Sequence, residues 1–144
     1  MPYRISLTER NAGVNGLTSL FNKGANPNNS KINIYSNATS QPATPETAVP
    51  GGSVLLASIP FSSTAFQTAT TGTGVATGLP LSSTVLNSGT AAWFRFVDGQ
   101  ASPAALGDGS ITINGGGGDM TFDNITFVSG GTVQMSDLSI TVPM

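Results

Sequence analysis

The chain of 144 residues has no histidine and no cysteine, and it carries only seven acidic and five basic side chains. Without histidine it lacks the side chain that most often moves protons and binds metals near neutral pH. Without cysteine it has no thiolate nucleophile, no thiolate zinc site and no disulfide framework. The carboxylates (Glu9, Glu46, Asp98, Asp108, Asp119, Asp123, Asp137) and the cations (Arg4, Arg10, Lys23, Lys31, Arg95) are both dispersed. With a net charge of −2 and no basic cluster, a nucleic-acid partner is not expected. No run approaches the roughly 18 apolar residues of a membrane span. Met1-Pro2-Tyr3-Arg4 opens no apolar leader, so no secretion signal is expected. These absences favour a structural or binding protein over an enzyme, with no catalytic residue, cofactor, metal or small-molecule substrate.

What is present is glycine (18) and a large share of serine and threonine, beside 38% hydrophobic residues. The length suits a single domain. We read it as an N-terminal helix and arm (1–30) followed by a β-sandwich (31–144). Ser6-Leu7-Thr8-Glu9 has the form of a capping box. Val14, Leu17, Leu20 and Phe21 then fall on one predicted helical face, and Gly24 supplies a stop. Two internal glycines, Gly13 and Gly16, weaken this helix by about 1 kcal/mol each. It therefore needs a surface to pack on, either its own sheet or a partner.

After a polar turn cluster at 24–30, Lys31 to Tyr35 alternates as a half-buried strand does. A proline-rich loop (36–52, with Pro42, Pro45 and Pro50) leads to an apolar strand from Val54 to Ile59, ended by Pro60. A low-complexity stretch (62–78) holds a short strand around Val75, and Leu79 to Leu86 holds another. Thr90 to Val97 carries aromatics on both faces and is placed centrally in the sheet, with the turn dipeptide Asp98-Gly99 behind it. Further strands are expected at Gly109–Asn114, at Met120–Phe122 and Ile125–Phe127 around Asp123-Asn124, and at Thr132–Val142. In the last of these the apolar parity switches near Ser136-Asp137, which predicts a β-bulge. The fold expected is mostly β: an antiparallel, jelly-roll-like sandwich of about eight strands with one short N-terminal helix.

Several residues invite a chemical reading, each with a plainer one beside it. Gly115 to Gly118 could cradle a phosphate, but no helix and no Lys-Ser/Thr follow, so a bent loop is expected. Asp119, Asp123 and Asn124 could offer oxygens to calcium; their spacing matches no EF-hand, and Asp and Asn are ordinary turn formers. Arg95 reads as an outward cation with a packed stem, or as an interface anchor. Trp93 reads as core, with stacking on a sugar as the alternative.

Three segments carry a resemblance. They are RNAGVNGLTSLFNKG with KINIYS, then QPATPETAVPGGSVLLASIPF, then AAWFRFVDG with the terminal GGTVQMSDLSITVPM. Together they span most of the chain, and the pattern resembles small virion proteins of tailed bacteriophages. The closest class is the jelly-roll cement or decoration proteins. The resemblance implies a role on the exterior of an icosahedral head, where such proteins sit over joints between major capsid subunits as dimers or trimers. It implies the major capsid protein as partner and self-association, here a homodimer in preference to a trimer. That class has no universal binding residues, so none carries over. The contact residues suggested by the sequence itself are Arg4, Arg10, the loop prolines Pro42 and Pro45, and Arg95. The alternatives are a carbohydrate-binding or tail-associated β-sandwich of a phage particle, and a two-carboxylate glycosidase for which no acid pair stands out.

Overall fold

The computed structural model describes residues 3–24, 29–36 and 41–143. It is a β-sandwich built on one strongly curled sheet, with a single short N-terminal helix. The helix, α1, spans Leu7–Ser19 and runs on through a 3₁₀ turn at Leu20–Asn22. The strands are β1 (Lys31–Ser36), β2 (Leu55–Pro60), β3 (Thr73–Val75), β4 (Leu81–Thr84), β5 (Gly89–Val97), β6 (Ala105–Ile113), β7 (Met120–Phe122), β8 (Thr126–Phe127), β9 (Thr132–Met135) and β10 (Ser139–Thr141).

The main sheet runs β2-β1-β5-β6-β7, with β8 added against the start of β5. Two ribbons, β4–β9 and β3–β10, complete the second layer. The mostly β sandwich with one short N-terminal helix is as expected. The expected count of eight strands becomes ten short ones among the described residues.

Alternation sorts the main sheet into two faces. Ile32 and Ile34 pair with Ile59 and Ala57 on one side, and with Phe96 and Phe94 on the other. That face is the core, and it meets Leu81, Val85, Val133 and Met135 of the ribbon layer. Opposite Phe94 and Phe96, β6 places Gly109 and Gly107. A methyl on Gly109 would lie 2.7 Å from the Phe94 ring, so the glycine is what lets the ring rest on the neighbouring strand. The strand expected from Gly109 begins four residues earlier, at Ala105.

Three expectations are corrected. First, β7 runs parallel to β6, Ile111 pairing with Met120 and Ile113 with Phe122. A parallel pair normally needs a long crossover. Here residues 114–119 fold straight back, with Gly115 and Gly117 at φ of 86° and 80°. Gly118 donates its N–H to Thr112 Oγ1 at 2.9 Å, and a Cβ there would meet that oxygen at 2.8 Å. The four-glycine run is a tight return loop. Second, the predicted bulge near Ser136-Asp137 is a full break: β9 pairs with β4, and β10 pairs with β3. The parity switch marks a chain changing partners. Third, the buried face of α1 is Val14 and Thr18, with Phe21 in the 3₁₀ turn, while Leu17 and Leu20 are exposed. Phe21 faces inward seven residues on from Val14, and meets Phe61, Phe66 and Phe96 edge-on at 5.4, 5.0 and 5.3 Å.

The capping box forms as expected: Ser6 Oγ accepts from Glu9 N–H, and Glu9 Oε2 from Ser6 N–H. What docks this polar helix is a stripe of asparagines. Asn11, Asn15 and Asn22 each accept a backbone N–H, from Gly72, Ala69 and Ala65, at 2.8, 2.8 and 2.9 Å. The low-complexity stretch thus satisfies its backbone through the helix's side chains. The turn cluster expected at 24–30 lies mostly outside the described residues, as does the start of the proline-rich loop.

Candidate functional site

The outer face of the main sheet carries Asn33, Tyr35, Ser58, Trp93, Arg95 and Asp108. The described part of the proline-rich loop lies over its centre. Arg95 Nη2 contacts Asp108 Oδ2 at 3.0 Å, and both side chains are only 5% exposed. Arg95 Nη1 donates to the Thr47 carbonyl at 2.7 Å, and Gln41 Nε2 donates to Asp108 Oδ1 at 2.9 Å. The guanidinium also sits 5.5 Å from the Trp93 ring centre, and Trp93 stacks on Tyr35 at 4.3 Å. Burial pushes the Tyr35 phenol above its ordinary value. Arg95 is therefore a buried ion-pair residue rather than an outward cation, and its charge is matched inside the chain. Trp93, 1% exposed, belongs to the same buried group.

The other candidate contact residues are placed separately. Arg4 is exposed. Arg10 donates from Nε to the Val142 carbonyl at 3.0 Å, and its guanidinium spans Gly72. It joins the helix to the C-terminal segment. Pro42 and Pro45 are half-buried, in a loop that Gln41 and Thr47 tie to the sheet. These five residues do not form one surface.

Besides Val49, Val54, Val75 and Ile113, the exposed apolar side chains include two groups that sequence reading missed. On the outward side of α1, Leu17 is 49% and Leu20 36% exposed, with Tyr3 and Leu7 exposed at the helix start. Near the end of the β4–β9 ribbon, Leu86 and Val128 are 50% and 65% exposed. Ser129 links these two segments by donating its hydroxyl to the Leu86 carbonyl at 3.0 Å.

A third feature is an open cleft of about 540 Å³ between β7 and the β9–β10 segment. Phe94, Phe96, Met120 and Phe122 line it on one side, Met135 and Leu138 on the other. Asp119, Asp123 and Asp137 line it as well, with no Lys or Arg among the lining residues. Asp119 Oδ2 accepts both the backbone N–H and the hydroxyl of Ser110, at 2.9 and 2.8 Å, and these bonds hold its carboxyl below the ordinary range. Asp123 accepts from Asn114 Nδ2, and Asn124 Oδ1 accepts from Thr126 N–H. Of the three residues weighed as calcium ligands, Asp119 and Asp123 are thus bonded to residues nine positions earlier and Asn124 within its own turn. Among the described residues no three acidic side chains gather closely enough to hold a metal, and no helix is long and apolar enough to cross a membrane.

No protein family, no curated protein and no solved structure matches this chain.

Proposed function

We propose that this chain is a structural virion protein: a cement or decoration protein that binds the outer surface of an icosahedral phage head and stabilises contacts between major capsid subunits. The observation that carries this reading is the pair of exposed apolar groups on different elements, Leu17 of α1 with Leu20 of its 3₁₀ turn, and Leu86 with Val128 beside the β4–β9 ribbon. A protein that bridges two subunits needs two contact patches. Exposed apolar side chains grouped on a surface are a common mark of contact with another protein. The net charge of −2 opposes such association only weakly. The resemblance of the three sequence segments to phage virion proteins points the same way.

A sugar-binding module draws less support. Its usual platform is an exposed aromatic ring, and of Tyr3, Tyr35 and Trp93 only Tyr3 is exposed.

The test is size-exclusion chromatography with light scattering on the protein alone and with empty capsid shells of the phage that carries it. The expected result is a homodimer that moves into the capsid fraction, and a Leu17→Glu/Leu20→Glu variant that folds but stays behind. A wild-type protein that ignores the shells would overturn the proposal.

A further inference from the structure

The curled main sheet is continued at its β2 edge and left open at its β7 edge. Past β2, the chain leaving β4 donates from Leu86 N–H to the Leu56 carbonyl at 2.7 Å, carrying the curl into the β4–β9 ribbon. At the opposite end β7 is the last strand of the sheet, and β9 and β10 pair elsewhere. The 540 Å³ cleft is this seam. A closed barrel has no edges, whereas an open one presents unpaired backbone that can accept another strand.

The register shows which backbone groups face the seam. The Phe122 carbonyl accepts Asn114 N–H at 3.0 Å, so Phe122 directs its backbone toward β6. Alternate residues of a strand direct theirs to opposite sides. Thr121, between Met120 and Phe122, therefore turns its N–H and C=O into the cleft it lines. The floor beside it is apolar and the charged lining is acidic only.

From this we infer that the seam is a docking groove for an extended, basic segment of a partner protein, which adds as a strand to β7. Backbone bonds to Thr121 would set its direction. Alternate apolar side chains would meet the phenylalanine and methionine floor, and the intervening Lys or Arg side chains would meet Asp119, Asp123 and Asp137. A second copy of this chain docked seam to seam would bring the two sets of carboxylates together, and like charges across a strand pair are unfavourable. The charge of the groove thus selects a basic occupant. The inference does not depend on the virion reading.

The experiment is an NMR titration of the full ¹⁵N-labelled chain with two end-blocked hexapeptides, (Val-Lys)3 and (Val-Glu)3, at low and high salt. The expected result is that (Val-Lys)3 alone shifts amides of 119–123 and 134–140, with binding weakened by salt. Asp123→Asn with Asp137→Asn should weaken binding about five- to tenfold. Thr121→Pro, which removes the N–H facing the seam and leaves the β6 side intact, should abolish it. Unchanged Trp93 fluorescence checks that each variant is folded, and the aspartate variant carries the test if Thr121→Pro is not. Equal response to both peptides, shifts confined to other surfaces, no response to (Val-Lys)3, or seam shifts that depend on protein concentration alone would each overturn the proposal.

Discussion

Replacing Arg95 with Met tests the reading of the outer face most directly. The substitution keeps most of the stem volume and removes the guanidinium, leaving Asp108 buried with only the Gln41 amide as a hydrogen-bond partner. Breaking one side of a buried ion pair costs about 3–5 kcal/mol, because the remaining charge stays desolvated and unmatched. A surface pair would cost about 0–1 kcal/mol. Both side chains of this pair are 5% exposed, which places the expected loss in the first range. The Thr47 carbonyl loses its donor in the same step, adding to the loss. Against a typical domain stability of about 5–15 kcal/mol, the protein would survive with a much reduced margin. Urea unfolding followed by Trp93 emission suits the case, since Trp93 is the sole tryptophan and lies beside the pair. With a urea slope of about 1.5 kcal/mol/M, the midpoint should fall by about 2–3 M. The double variant Arg95→Met/Asp108→Leu should recover most of that loss, because neither charge is then left alone. A single-variant loss under about 1 kcal/mol would refute the reasoning, since it would mean that water reaches the pair beneath the loop.

Other outcomes follow from the same structure. Gly109→Ala should cost about 1–3 kcal/mol in urea unfolding, because its methyl would press on the Phe94 ring at 2.7 Å and on Asp119 Cβ at 3.0 Å. Ser6→Ala should cost about 0.5–2 kcal/mol and lower helical circular dichroism, by removing the cap of α1. Glu9 is held below its ordinary 4.5, first by the Ser6 N–H and then by the Tyr3 hydroxyl. Its contribution is therefore fully present above about 4.5 and is lost as pH falls through the lower folded value. Melting temperatures between pH 6 and pH 3 should show this loss in the wild type and less of it in Glu9→Gln.

Local pattern made part of this molecule readable. The capping box fixed the helix start because its two hydrogen bonds join residues three apart. The Lys31–Tyr35 alternation and the aromatic run before Asp98-Gly99 identified β1 and the central β5, since a half-buried strand writes its two faces into consecutive residues. The pairing partners were not readable in the same way. Nothing near Ser136-Asp137 says that β9 and β10 join different ribbons, so a switch of partner looked like a bulge. The strand expected from Gly109 begins at Ala105, because β5 pairs with those earlier residues too.

The candidate contact residues show the same division. Arg4 is exposed, whereas Arg95 and Arg10 are engaged by groups elsewhere in the chain, Thr47 and Asp108 for one and Val142 for the other. The asparagine stripe on α1 and its 3₁₀ turn did carry a signal, because Asn11, Asn15 and Asn22 recur at helical spacing, but it is polar and apolar periodicity passes over it. The lack of histidine and cysteine was fixed by the sequence alone, and with it the absence of imidazole and thiol chemistry. The open seam, the buried ion pair and the exposed leucines were decided by tertiary structure. Each depends on which distant segment occupies the space beside a residue, and that is settled only when the sheet curls.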